Sequence, residues 1–158
     1  MGNVLGIDPS TVATGWGVVN KKGELIAHGV IAPDKKTLSE VQQAAFQYNS
    51  LSHIIKEYNI EAVICEDQHK GANSDTYKKL CRITGYVQLL AGLNELPFEF
   101  FHPSSWRKIT LGNGKATKED AIQWVNETYG LKLLKKQNDI AEGIAIAKAG
   151  TIHFEEIL

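Results

Sequence analysis

Asn3-Val4-Leu5-Gly6-Ile7-Asp8 and Ile60-Glu61-Ala62-Val63-Ile64-Cys65-Glu66 are the two stretches that decide the fold. Each is a short, mainly apolar run that closes on an acid. Runs of this length read as buried strands, the kind found inside parallel sheets. Between them, Thr14 to Asn20 and Glu24 to Ala32 read as two more strands. Lys21-Lys22-Gly23 is a turn signal between these two, so they form a hairpin. Pro33-Asp34 then ends the strand region.

Helices fill most of the remainder. Thr37-Leu38-Ser39-Glu40 fits a capping box, with Thr37 and Glu40 satisfying amides at a helix start. Apolar residues recur after it at Leu38, Val41, Ala45, Tyr48, Leu51, Ile55 and Tyr58, which is helical spacing. Ser74 to Asn94 predicts a second helix, with Leu80, Ile83, Val87, Leu90 and Leu93 on one face. Phe98 to His102 reads as a fifth strand. Thr117-Lys118-Glu119-Asp120 caps a helix through Tyr129, and Asn138 is an N-cap candidate for a last helix to about Ala149. The predicted order is β-β-β-α-β-α-β-α-α. Right-handed crossovers set the two later strands beside the first, giving an α/β fold with a five-stranded mixed sheet flanked by helices.

The chain has 158 residues, 43% of them apolar and 22% charged, which is ordinary globular usage and fits a single domain over 1–158. No run approaches a membrane span, and the start lacks a signal-peptide pattern, so a cytoplasmic location is expected. Cys65 and Cys81 cannot form a disulfide framework, and Cys65 reads as a buried small hydrophobe. A net charge of −1 argues against nucleic-acid binding by bulk charge and leaves room for a basic patch.

If the two acid-ended strands are parallel neighbours, Asp8 and Glu66 emerge about 5 Å apart, the strand spacing. Open α/β sheets place their sites beyond such strand ends. Asp139 and Glu142, at i and i+3, share one face of the last helix. Taken singly, Asp8 reads as a turn or cap residue, and Asp139 equally as a helix-start charge or a ligand. Glu142, however, lies inside Ile140-Ala141-Glu142-Gly143-Ile144-Ala145-Ile146-Ala147, a stretch that reads as buried on most sides. An acid there asks for a cation. Four carboxylates on one rim suit Mg²⁺ or Mn²⁺. The matching chemistry is phosphodiester displacement at two ions about 4 Å apart.

Leu5-Gly6-Ile7-Asp8-Pro9-Ser10, followed by Thr14-Gly15-Trp16-Gly17-Val18-Val19, resembles the opening of the RuvC family of Holliday junction resolvases. Glu66 with Asn73, Leu80 and Gly85 resembles the family's second block. Glu99-Phe100 and Leu111-Gly112-Asn113-Gly114-Lys115-Ala116-Thr117-Lys118 resemble the third, and Asp139 to Ala147 the fourth. The resemblance implies a ribonuclease-H-like fold, a homodimer and Mg²⁺-dependent nicking of four-way DNA junctions. It implies Asp8, Glu66, Asp139 and Glu142 as metal-binding acids and Lys118 as a catalytic lysine. Arg107 falls where the family commonly has another lysine. The chain departs from the pattern in having Glu142 for the usual Asp, and His69 where many members carry a stacking aromatic. His69 reads equally as a weak stacker, a phosphate contact or a surface histidine. The near-neutral charge and the ending Phe154-Glu155-Glu156-Ile157-Leu158 resemble a compact phage or prophage-borne variant, for which cellular branch-migration partners are left open.

Basic residues for DNA contact fall in two groups beside the expected rim: His69, Lys70, Lys78, Lys79 and Arg82, then Arg107, Lys108, Lys115 and Lys118 in what reads as a loop and the helix start after it. Solvated helix faces are the plain alternative for them. Gly112 and Gly114 would let the backbone approach a phosphate. Phe101 and Trp106 read as core or DNA-facing, with Trp106 the better DNA candidate. A broader flap, fork or RNA–DNA hybrid nuclease of the same fold fits the same acids. An actin-like ATPase would need a second nucleotide-binding half; a non-catalytic junction-binding protein is the alternative of another class, and the presence of all four acids argues against it.

Overall fold

The computed structural model describes residues 2–68, 71 and 73–158. The strands are β1 (Asn3–Asp8), β2 (Thr14–Val19), β3 (Leu25–Ile31), β4 (Ile60–Glu66) and β5 (Phe98–Phe101). The helices are α1 (Glu40–Glu57), α2 (Ser74–Leu93), α3 (Pro103–Leu111), α4 (Lys118–Tyr129) and α5 (Asn138–His153), with a 3-10 turn at Lys135–Gln137. All five strands join one sheet in the order β3-β2-β1-β4-β5. The first three pair antiparallel, and β4 and β5 add in parallel on the other side of β1. This is the mixed sheet expected from the two acid-ended runs. Among the described residues no helix is long and apolar enough to cross a membrane.

Side-chain alternation divides the central strands between two layers. Leu5, Ile7, Trp16, Val18, Val63 and Cys65 point to one face, where Leu51, Ile54 and Ile55 of α1 and Ile83, Val87 and Leu90 of α2 cover them. Val4, Ala62 and Ile64 point to the other, against Trp106 of α3, Ala121 of α4 and Ala145, Ile146 and Ala149 of α5. On this second face β1 and β2 carry Gly6, Gly15 and Gly17, and α5 settles onto the strand backbones. A Cβ at Gly6 would lie 2.2 Å from the Ala147 nitrogen, and one at Gly15 would lie 1.9 Å from the Asp139 carbonyl oxygen.

Four local expectations need correction. The α1 capping box is Ser39 with Gln42, two residues beyond the one expected. The Thr37 hydroxyl instead donates to Asp34. Val41 and Ala45, expected on the buried stripe of α1, are exposed, and Gln47 is buried with Leu51, Ile54 and Ile55. The expected loop around Arg107 and Lys108 is helix α3, started by Pro103 and ended by Gly112 in the left-handed region, φ 78°. Gly112 therefore serves as a helix stop. Finally, Asn138 is already helical, continuing the 3-10 turn, and α5 runs to His153 rather than Ala149.

Candidate active site

The parallel register pairs Ile7 with Cys65, which brings Asp8 and Glu66 out side by side at the carboxyl edge of the sheet. The close seating of α5 supplies the rest. Asp139 sits in its first turn, directly over Gly15, and Glu142 follows less than one helical turn later. Asp8, Glu66 and Glu142 each offer an oxygen, and these lie within 4.8 Å of one another. Asp139 stands just outside that triad, half-buried on the wall of the same cavity. The cavity, ≈ 580 Å³, is also lined by Ser10, Thr11, Thr76, His102, Ser104, Arg107 and Lys118.

Burial and mutual repulsion dominate the electrostatics. Asp8 is 6% exposed and Glu142 3%. Burial pushes the Asp8 carboxyl well above its ordinary range, with Glu66, Glu142 and Asp139 adding in the same sense. Burial likewise raises Glu66 to about 7, against the Trp106 hydrogen bond and the charges of Arg107 and Lys118, which lower it. Asp139 is raised by burial, and a hydrogen bond with Asp8 and the Lys118 charge oppose that. A cluster this costly to ionise fits a hard divalent cation: the donors are all oxygens, and a cation removes the repulsion.

Two contacts were not foreseen. Trp106 is 0% exposed, so it does not face DNA. It packs in the α3–α5 core, and its Nε1 donates to Glu66 Oε2 at 2.8 Å. Arg107, expected on a loop, is on α3, and its Nη2 donates to Glu142 Oε1 at 2.9 Å. The buried Glu142 thus does have a cation partner, from within the chain. The available signal was Pro103 at one end and Gly112 at the other, the usual brackets of a short helix. Gln47 was missed as well. It is buried on α1, accepts from the Thr14 hydroxyl at 2.6 Å and donates to the Ser10 carbonyl at 3.3 Å, fixing the loop that follows Asp8.

The family model for crossover junction endodeoxyribonuclease RuvC matches residues 4–149. The chain belongs to this family. It is 33% identical to the RuvC of Aliarcobacter butzleri, over 91% of this chain and 94% of that one. It is 29% identical to the RuvC of Carboxydothermus hydrogenoformans, over 98% of this chain and 99% of that one. The fold is similar to that of T. thermophilus RuvC solved in complex with a Holliday junction substrate, with a TM-score of 0.86 at 22% identity over 99% of this chain and 96% of that one. The sheet and helices accordingly form the ribonuclease-H-like fold of RuvC.

The basic residues expected to contact DNA beside the acid rim are distributed unevenly. Lys118 is exposed at the first turn of α4, behind its Thr117 cap, and lines the acid cavity. Lys108 and Lys115 are exposed nearby, and Lys78 and Arg82 are exposed on α2. Lys79 pairs with Glu40 at 3.6 Å and Asp75 at 3.4 Å. His69 and Lys70 lie outside the described residues.

Proposed function

We propose that this protein is a divalent-metal-dependent, structure-selective endonuclease that resolves four-way DNA junctions by paired nicks, in recombination and repair or in phage DNA processing. The observation that carries the reading is the convergence of Asp8, Glu66 and Glu142 within 4.8 Å in a chain of the RuvC family. These three acids, with Asp139 beside them, would hold Mg²⁺, or Mn²⁺ in its place, at up to two sites. A bound ion supplies Lewis acidity and a water of lowered pKa. Lys118, exposed on the cavity wall, meets the phosphate to be cut. A cation in the first turn of a helix is otherwise badly placed, since that end already carries partial positive charge.

Lys78, Arg82, Lys108 and Lys115 supply phosphate contacts flanking the cavity, with His69 and Lys70 on the segment before α2. One nuclease domain over 1–158 acts inside the cell as a homodimer, since paired nicks need two sites related by a two-fold axis. The apolar residues Leu89 and Leu93, exposed on α2, support a dimer surface along Tyr77 to Leu93. Sedimentation should give the mass of two chains at micromolar concentration.

The deciding assay incubates the protein with an immobile four-way junction, a matched duplex and a flap, with and without Mg²⁺. Paired nicks confined to the junction and dependent on the ion are expected, and undiminished cleavage in excess EDTA overturns the reading. Asp8→Asn should abolish cleavage while sparing junction binding, because it removes a charge at almost unchanged volume.

A further inference from the structure

Two consecutive residues of α3 each hold one carboxylate of the acid triad. Trp106 gives its single polar hydrogen to Glu66, and Arg107 gives an Nη2 hydrogen to Glu142. The indole cannot swing away, since it is packed among Val4, Ala62, Ile64, Ala121 and Ile146. The guanidinium is held differently. It lies 5.0 Å from the centre of the Trp106 ring, and its Nε is buried with no acceptor among the described residues. A fully satisfied Arg–carboxylate pair would be a two-bond fork, and an orphaned buried donor carries a desolvation cost. The Arg107 pose therefore rests on its single bond and charge pair with Glu142, which an ion on that carboxylate has to displace.

We infer that Trp106 and Arg107 tune the acid triad for its divalent ion in opposite senses. Trp106 strengthens binding by fixing the Glu66 carboxylate, and Arg107 weakens it as the resident cation of Glu142, which an incoming ion has to displace. The inference rests on the three acids being the ion site. Partners that orient a ligand commonly change metal affinity 10–100-fold. A unit positive charge within about 4 Å opposes a divalent ion strongly in a partly buried site. Both residues are positioning residues: they act through Glu66 and Glu142. In this way a helix of nine residues sets the ion concentration at which the site fills.

The test is a calorimetric Mn²⁺ titration of the DNA-free protein at fixed pH. Trp106→Phe should bind Mn²⁺ about tenfold more weakly than the parent. Arg107→Gln should bind it about tenfold more tightly. Arg107→Lys, which keeps the charge, should stay near the parent. The Mn²⁺ concentration for half-maximal junction cleavage should move in the same directions, with the Trp106→Phe loss recovered at saturating ion. If Trp106→Phe fails to fold, benzothienylalanine at position 106 removes the N–H while keeping the shape. Unchanged affinity in the donor-less variant makes Trp106 a packing residue only, and unchanged or weaker affinity in Arg107→Gln overturns the role of Arg107. A parent that binds Mn²⁺ no better than Asp8→Asn overturns the ion-site reading itself.

Discussion

The two faces of the sheet are packed by opposite means. On the α1–α2 face, large side chains hold the helices away from the strands: Leu5, Ile7 and Trp16 below, Leu51, Ile54 and Val87 above. On the α5 face, glycines bring backbone against backbone, so that the Asp139 carbonyl rests where a Gly15 Cβ would be. Side-chain layers adjust to a changed volume by rotamer shifts; a backbone contact has nothing to rotate. The face without slack is the one that carries Asp139 and Glu142 over Asp8. The softer face still bears a cavity of ≈ 200 Å³, lined by Gln47 and Tyr86 among others, and a buried Tyr86 hydroxyl with no partner among the described residues. Burial raises that phenol well above its ordinary value.

Substitution can break this contrast. The largest effect is expected at Gly15→Ala, whose new methyl would have to lift the start of α5. A loss of about 4 kcal/mol or more in urea unfolding is the scale for a clash with backbone, and whatever remains folded should not cleave. A loss below about 1 kcal/mol would mean that the two faces yield alike. Leu51→Ala, fully buried on the other face, should cost about 2–5 kcal/mol. Its cleavage rate per folded molecule should nonetheless match the parent, because none of the four site acids rides on α1.

Lys118 sharpens the contrast from a third side, since it faces the cavity without packing in either layer. Lys118→Ala should leave the urea midpoint unchanged and slow cleavage about tenfold or more. Junction affinity should fall only modestly, as other phosphate contacts remain. Equal losses in rate and affinity would make it an ordinary phosphate contact.

The smallest effect concerns pH. Glu66 is raised to about 7 and Asp8 is raised well above its ordinary value. In the folded, ion-free protein these two groups hold more protons than in the unfolded chain, so the stability they contribute is greatest below the ordinary carboxyl range and declines as pH rises through about 7. Added Mg²⁺ should raise the melting temperature more at pH 8 than at pH 6, by a few degrees. An equal rise at both values would place the ion away from Glu66.

The sheet was legible because β1 and β4 are continuous apolar runs that each close on an acid, and parallel pairing then fixes the two acids together. Glu142 was legible because a charge amid Ile, Ala and Gly has no solvated face to occupy. The start of α1 was ambiguous for a local reason: Thr37-x-x-Glu40 and Ser39-x-x-Gln42 overlap, and either could cap. Helix α3 was hidden because nine residues with one buried aromatic show no periodic stripe, and its flanking Pro and Gly read equally as loop. With that helix went the environment of Trp106 and Arg107. Which side of a short helix faces the core is settled by tertiary packing, and with it whether an aromatic beside an arginine meets solvent or a carboxylate. Gln47 was obscured because a polar residue breaks the apolar spacing that marks a buried face.

The seating of α5 on β1 and β2 also bears on how the protein opens. In many enzymes the catalytic groups sit on segments that fluctuate apart from the core. Here two of the acids belong to the helix against which the central strands are pressed. Lifting that helix exposes both layers it joins, so its amides should exchange with deuterium only through global unfolding. Loss of the site on heating and loss of the fold should then trace a single curve.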